Sequence, residues 1–507
     1  MKNLDVLVVG GGLAGLSAAL TAREQGASVL VIERAPREER GGNSRFSIGA
    51  MRAVYAGVDD VEKLTGDIGE DDRARVDFGA YTREQYLDDL KRVTQHRTDP
   101  GLARLLVDGS ADTMRWLRRN GVRFRPLYQW QFKQADGRIK FAGGSAVGVA
   151  GAGEGLSDAL FKAVEQSGVT IAYGTRAVSL IESDHGVVGV RARQTTSSGA
   201  RSIDLAASAV VLAAGGFQAN AEWRTRYLGP GWELAKVRGS RFNTGDGLRM
   251  ALEIGAMPCG NWSGCHSASW DFGAPDVNEL ALGAIFKRDD FLYGLMVNAC
   301  GERFVDEGAD IRALTYAKMG RAILAQPGQV AWQIFDRKVA DLLHDEYRAP
   351  RAARYRGNTL EELAGRLEGI DGNALQATVA SFNAAVRRDI AFDPGKKDGR
   401  STVGLDVPKS NWAATIDEPP FEAYPVTCGI TFTFGGVRID GGAQVIDVDG
   451  AAIPGLYAAG ELVGGLFYFN YPGGSGLMAA AVFGRIAGRA AAQQALSGQA
   501  QARSAMR

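Results

Sequence analysis

Three glycines near the start of this 507-residue chain are spaced to hold a phosphate. Gly10, Gly12 and Gly15 form a GxGxxG pattern inside "VVGGGLAG", and Glu33 closes the next apolar run, "ASVLVIER". In such a pattern the first glycine allows a tight turn, and the second lets backbone approach a pyrophosphate. The third lets the helix pack on the strand. The helix start, with Leu13 and Ala14 at its head, offers free N–H groups and a partial positive charge. Glu33 can accept hydrogen bonds from a ribose diol and would repel a 2′-phosphate, which disfavours NADP. A second glycine-rich bend lies near the other end, in "FNYPGGSGLMAAAVFGRIAG" (Phe469–Gly488), where Tyr471 stands beside a helix start. Glycine lets backbone come close to a ligand. Gly473, Ser475, Gly476 and Leu477 therefore read as a cradle for something electron-rich.

The elements that must position these residues follow from their flanks. "LDVLVVG", the glycine turn, "LSAALTAREQG" and "ASVLVIER" predict strand, turn, helix and strand, a βαβ unit in a parallel sheet. Two amphipathic helices are predicted within Tyr81–Gly121 and a third over Leu156–Gly168; strands follow in "VTIAYGTRAVSLI" and "GVVGVRARQ". Between about Ala256 and Pro425 the sheet signal fades into aromatic and irregular segments, with one helical portion from Thr359. Short strands return in "GGVRID" and "IPGLYAAGE". The simplest organisation is an α/β fold with a parallel sheet, interrupted by an inserted domain: residues 1–255 and 426–507 form a cofactor domain, and 256–425 a cap.

The N-terminal unit alone does not separate NAD from FAD. Three further segments favour FAD: the loop "ERGGNSRFSIGAM" (Glu39–Met51), the strand end "VVLAAGGF" (Val210–Phe217), and "IPGLYAAGELVGG" (Ile453–Gly465), where Glu461 can bond a ribityl hydroxyl. The expected cofactor-binding residues are Gly10, Gly12, Leu13, Ala14, Gly15, Glu33, Arg34, Gly41, Gly42, Asn43, Ser44, Val178, Ala214, Gly215, Gly460, Glu461, Gly473, Ser475, Gly476 and Leu477.

Lys+Arg and Asp+Glu both number 58, so the net charge is zero and makes no electrostatic case for nucleic acid or a membrane surface. The four cysteines, Cys259, Cys265, Cys300 and Cys428, form no CxxC or CxxCH pair. That argues against zinc, iron–sulfur or haem attachment and fits a reducing compartment. No signal pattern or apolar stretch of about 18 residues is present. The expectation is a cytoplasmic protein with no membrane span and no metal.

Together these segments resemble the flavoprotein family of fumarate reductase and succinate dehydrogenase, which also holds 3-ketosteroid dehydrogenases. The closest look is to its tricarballylate dehydrogenase branch, through "RGGNSR" (Arg40–Arg45), "NWSGCH" (Asn261–His266), "GERFVDEGADIR" (Gly301–Arg312), "CGITFTFGG" (Cys428–Gly436) and "YFNYPGGSG" (Tyr468–Gly476). The resemblance spans nearly the whole chain. It implies a Rossmann-like FAD-binding domain, an α+β capping domain over the substrate, and the second glycine bend beside the flavin ring. It implies hydride transfer between carbon and flavin, with a proton passing between the neighbouring carbon and a side chain.

Carried over residue by residue, Arg312 matches a proton-donating arginine and His266 a substrate-carboxylate histidine. Tyr471 replaces a substrate arginine and stands in a "YPG" pattern that also occurs in ketosteroid dehydrogenases, where the tyrosine bonds a ketone. Tyr316, one turn beyond Arg312, is a further candidate base. Arg45 and Arg52 lie near the flavin loop. Covalent members carry the flavin on a histidine; this loop has Asn43–Ser44–Arg45–Phe46, so non-covalent FAD is expected. Phe432 replaces a second substrate histidine, and "KRDDFLYG" stands where soluble fumarate reductases place a glutamate–arginine relay. These departures favour a dehydrogenase forming C=C next to a carboxylate or ketone, tricarballylate dehydrogenase-like. The alternatives are a 3-ketosteroid or cyclic-ketone desaturase, an enoate reductase, and a flavin-binding protein without turnover. The expected partners are a small carboxylate or cyclic ketone and a separate electron acceptor: oxygen, an electron-transfer protein or a quinone system.

Overall fold

The computed structural model of the chain describes residues 4–66, 68–128, 131–133, 138–141 and 143–505. The apolar run Leu4–Val9 is buried from Asp5 onward, as suits the centre of a parallel sheet covered on both faces. It pairs in parallel with Val29–Ile32 on one side and with the end of Gly199–Leu212 on the other. Thr170–Ala172 extends the sheet beyond Val29–Ile32. On the far side the late strand Ala452–Ala458 pairs in parallel with Val210–Leu212 and in antiparallel with Gln444–Ile446. Gly199–Leu212 serves two partners: its first half runs antiparallel to Gly186–Thr196, and its last six residues enter the parallel core. The first and last parts of the chain thus complete one eight-stranded sheet.

The helices on this sheet are those the sequence predicts, within a few residues: Leu13–Glu24, Arg83–Val93, Pro100–Arg119 and Ala152–Gln166. The C-terminal helix Ser475–Ala505 packs on Leu13–Glu24. Gly484 and Gly488 make that possible, because a Cβ there would lie 2.4 Å from the Ala14 carbonyl oxygen and 2.2 Å from that of Ala18.

The inserted stretch contains more sheet than its sequence suggests. A second, six-stranded sheet is built on Phe421–Val437, which pairs antiparallel with Pro258–Asp271 and Ala331–Phe335; Leu295–Asn298 lies outside Ala331–Phe335. The strand Pro258–Asp271 reads "PCGNWSGCHSASWD". Small polar residues give it no alternating pattern, so pairing with a long apolar partner decides its conformation. The sheet also takes in the short strand Lys236–Val237, and Phe421–Val437 runs on past residue 425. Among the described residues no helix is long and apolar enough to cross a membrane, and no group of three His, Cys, Asp or Glu could hold a metal ion.

Candidate active site

One cleft joins the two sheets. It is lined by Val9–Ala14, Glu33 and Gly42–Ser44 from the first part of the chain, by His266, Lys287, Asp289 and Tyr316 from the inserted part, and by Glu461, Tyr471 and Gly476 from the last. It encloses about 2050 Å³, its solvent mouth included.

At the nucleotide end the three fingerprint glycines have distinct surroundings. Gly10 sits at φ 108°, and a Cβ on it would lie 2.5 Å from the Ala213 carbonyl oxygen. On Gly15 a Cβ would fall 1.9 Å from the Gly10 oxygen. Around Gly12, by contrast, the nearest atoms to a Cβ are 3.8 Å away. Gly12 caps the helix Leu13–Glu24 without any side-chain hydrogen bond, so the helix start is open for an anion. The Leu13 N–H donates to Ser44 Oγ at 3.1 Å, which ties the glycine–serine loop to this terminus. Glu33 accepts from the Gly11 and Ala35 N–H groups, each at 2.7 Å. Burial still raises its pKa against those bonds. Arg34 turns to Asp246 at 2.9 Å and to Thr244.

Ala214, Gly215 and Gly460 line the middle of the cleft with Glu461. Burial pushes the Glu461 carboxyl up to about 7, against hydrogen bonds from Thr433, Gly216 and Gln218. A buried acid of this kind, beside an open cleft, suits a polyol hydroxyl. The residues present therefore fit FAD: an open helix start for pyrophosphate, an acid for each sugar, and glycines where backbone must come close.

The other end gathers two tyrosines, a histidine and further aromatic rings. Tyr471 and Tyr316 hydrogen-bond to each other through their hydroxyls. Burial raises both phenols, Tyr471 to about 12 and Tyr316 well above the ordinary range, so both remain protonated donors. His266 packs edge-on against Tyr316 at 4.9 Å and Phe432 at 5.4 Å between ring centres, and lies 5.1 Å from Tyr471. Neither of its ring nitrogens has a protein partner. Burial first, and then the charge of Arg238, hold it neutral, with a pKa well below the usual value. Phe432, Phe467 and Tyr471 form an aromatic wall with ring centres 5.0–6.1 Å apart.

Not every expected residue faces this cleft. Arg312 is turned into a buried cluster: it lies 3.4 Å from Asp290 and 3.1 Å from His344, whose Nδ1 is 2.7 Å from Asp290. Arg45 pairs with Glu154 and Asp158 on the helix Ala152–Gln166. Arg52 is buried and donates to the Gly473 carbonyl at 2.8 Å and to Tyr81 at 2.7 Å, so it locks the bend from behind. Ser475 likewise accepts from Tyr86. Val178 offers its carbonyl to Arg249, and Thr175–Ala177 line the cleft beside it. Gly15, Gly41, Gly473 and Ser475 shape the turns without lining the cleft.

Among the cleft residues that the sequence reading missed are three charged ones, Arg238, Lys287 and Asp289. Asp289 is 1% exposed, and neither carboxylate oxygen has a hydrogen-bond partner; Lys287 stands 3.8 Å away. Burial raises the pKa of Asp289 and lowers that of Lys287. For Lys287 and Asp289 the signal available was the charged run "KRDD" itself, which the fold buries; Arg238 stood in no pattern.

Residues 5–477 match the family model described as FAD binding domain. A probable fumarate reductase of Shewanella frigidimarina is 33% identical, over 98% of this chain and 76% of its own length. A 4-oxocyclohexanecarboxylate 2-dehydrogenase of Sinomonas cyclohexanicum is 29% identical, covering 97% of this chain and 94% of its own. The structure of 3-ketosteroid Δ1-dehydrogenase from Sterolibacterium denitrificans shares the fold, with a TM-score of 0.73 at 22% identity over 97% of this chain and 100% of that one. With an FAD-fitting cleft running the length of the match, the chain belongs to the FAD-binding fumarate reductase flavoprotein family, and is an FAD-dependent oxidoreductase acting on CH–CH groups.

Proposed function

We propose that the enzyme is a dehydrogenase that introduces a C=C bond beside a ketone carbonyl. The observation that carries this reading is the buried Tyr316–Tyr471 hydroxyl pair against an aromatic wall. A small dicarboxylate asks for cations at these positions. Here stand two neutral phenols, a neutral histidine and Phe432. Neutral donors suit a ketone, whose oxygen gains negative charge as the α-proton leaves. The relative whose name states dehydrogenation of an oxocyclohexane acid agrees with this reading.

FAD would be held by Gly12, Leu13, Glu33 and Glu461 with the bend before Ser475, and supplies the hydride acceptor. Its attachment is non-covalent in this reading, because Gly42–Ser44 carry no histidine and the cleft's His266 lies on the aromatic wall. Tyr471, supported by Tyr316, donates to the carbonyl oxygen. The α-proton passes to the Asp289 carboxylate, whose oxygens are free of protein hydrogen bonds. Phe432 and Phe467 keep water from the reacting carbons. A separate acceptor, oxygen or an electron-transfer partner, takes the electrons onward.

The test is anaerobic mixing of the yellow protein with cyclic ketones. Loss of the flavin colour with a ketone supports the reading. If no ketone bleaches the protein while α,β-unsaturated acids reoxidise its reduced form, the enzyme is a reductase. Acid precipitation of the same sample should leave the colour in the supernatant; a yellow pellet would mean a covalent flavin.

A further inference from the structure

We propose that Arg238 anchors a single carboxylate of the substrate, so that the enzyme takes a ketone carrying one carboxylate at a distance from the carbonyl. This rests on the ketone reading above. Arg238 lines the cleft, yet its Nε and Nη1 are buried without any hydrogen-bond partner. An arginine with unmet donors in a low-dielectric site costs free energy unless something accepts from it. The planar guanidinium matches a carboxylate, which it can hold through two parallel bonds.

The side chain is also fixed in place. Its guanidinium carbon lies 4.5 Å from the centre of the Trp270 ring. Its stem runs over Gly429, where a Cβ would come 2.6 Å from Arg238 Cδ. Its backbone N–H donates to Ile430 and its carbonyl accepts from Asn278. The Trp270 Nε1 and Thr431 Oγ1 also lack partners, and both residues line the cleft. Unmet polar atoms from three separate segments therefore line the same cleft.

The cations left with unmet donors give the number of carboxylates. At this end stand Arg238, Lys287 and Asp289, with His266 neutral. Lys287 is met by Asp289 at 3.8 Å and by Glu346 at 3.9 Å. The Arg312 charge is met by Asp290. Among the described residues Arg238 is left as the cleft cation with two buried donors unmet. That matches a monocarboxylate, whereas a tricarboxylate would bring two further charges into a buried site with nothing to meet them.

The probes are 4-oxocyclohexanecarboxylate and its methyl ester, which keep ring and ketone alike and differ in charge. Half-saturation is read from flavin reduction, and binding is read separately from the change each probe makes in the flavin absorbance. The wild-type protein should bind the acid more tightly than the ester. Arg238→Gln should weaken acid binding by about 10- to 150-fold, the effect of one charged hydrogen-bonding partner, and leave the ester unchanged. Arg238→Lys should recover part of the loss. Acid and ester weakened equally, or a wild type that binds the two alike or binds neither, would overturn the anchor. If the acid binds through Arg238 but neither probe reduces the flavin, the anchor stands and the ketone-dehydrogenase reading fails.

Discussion

In the proposed reaction a phenol and a carboxyl divide the work at the reacting carbons. Tyr471 is kept protonated by burial, so it serves as a donor; Asp289 has two oxygens without hydrogen bonds and a pKa raised by burial, which makes its carboxylate more basic. Tyr471→Phe should slow flavin reduction by ketone about 10²–10³-fold. Asp289→Asn should slow it about 10²–10⁴-fold. Both variants should keep their FAD, since neither residue is part of the nucleotide cradle. Rapid-mixing measurements of the limiting reduction rate check this. A wild-type rate in Asp289→Asn would move the proton to another acceptor, with Lys287 the nearest candidate. The tyrosine was visible in the sequence because "YPGGSG" is a compact pattern. Asp289 was not, because a charged run usually means a solvated face.

The turn between the first strand and first helix is where an element's own geometry can be tested. Gly12 and Gly15 look alike in the GxGxxG pattern, but the fold gives them different tasks. A methyl on Gly15 has no room, being 1.9 Å from a backbone oxygen that cannot move without the strand. On Gly12 it meets nothing within 3.8 Å, and φ there is −78°, which any residue adopts. Gly15→Ala should therefore lower the thermal midpoint of the protein with or without FAD, and much of it should be insoluble. Gly12→Ala should fold with a near wild-type midpoint when FAD is absent and bind FAD more weakly, because only the ligand approaches that Cα. Calorimetry of both variants, with and without added FAD, separates the two. An apo midpoint for Gly12→Ala as low as that of Gly15→Ala would show that Gly12 also serves the fold.

Across the whole molecule, the buried Asp290–Arg312–His344 cluster ties three separated segments of the inserted part together. Burial alone would raise the Asp290 carboxyl, but Arg312 and His344 outweigh it and hold the pKa at about 2. A carboxyl depressed below its unfolded value of 3.8 contributes stability above that value and loses it as pH falls through 2. The contribution is about 2 kcal/mol. Asp290→Asn should destabilise the protein by about 3–5 kcal/mol at neutral pH, since Arg312 and His344 lose the carboxylate between them. It should also lose less stability than wild type between pH 4 and pH 2. Urea midpoints across that range decide it, and parallel acid losses would mean that Asp290 is not held low. Arg312 was legible in the sequence as a family position, yet its neighbours His344 and Asp290 were not, because contacts across tens of residues leave no local spacing. The same contrast holds for the molecule as a whole. The sequence by itself determined the nucleotide end, where strand, turn and helix are contiguous and each glycine answers a local steric demand. The chemical end came from the tertiary structure alone: pairing with Phe421–Val437 makes Pro258–Asp271 a strand and carries His266 to the cleft, and burial turns Arg238 and Asp289 from ordinary charged residues into cleft-lining groups with unmet hydrogen bonds.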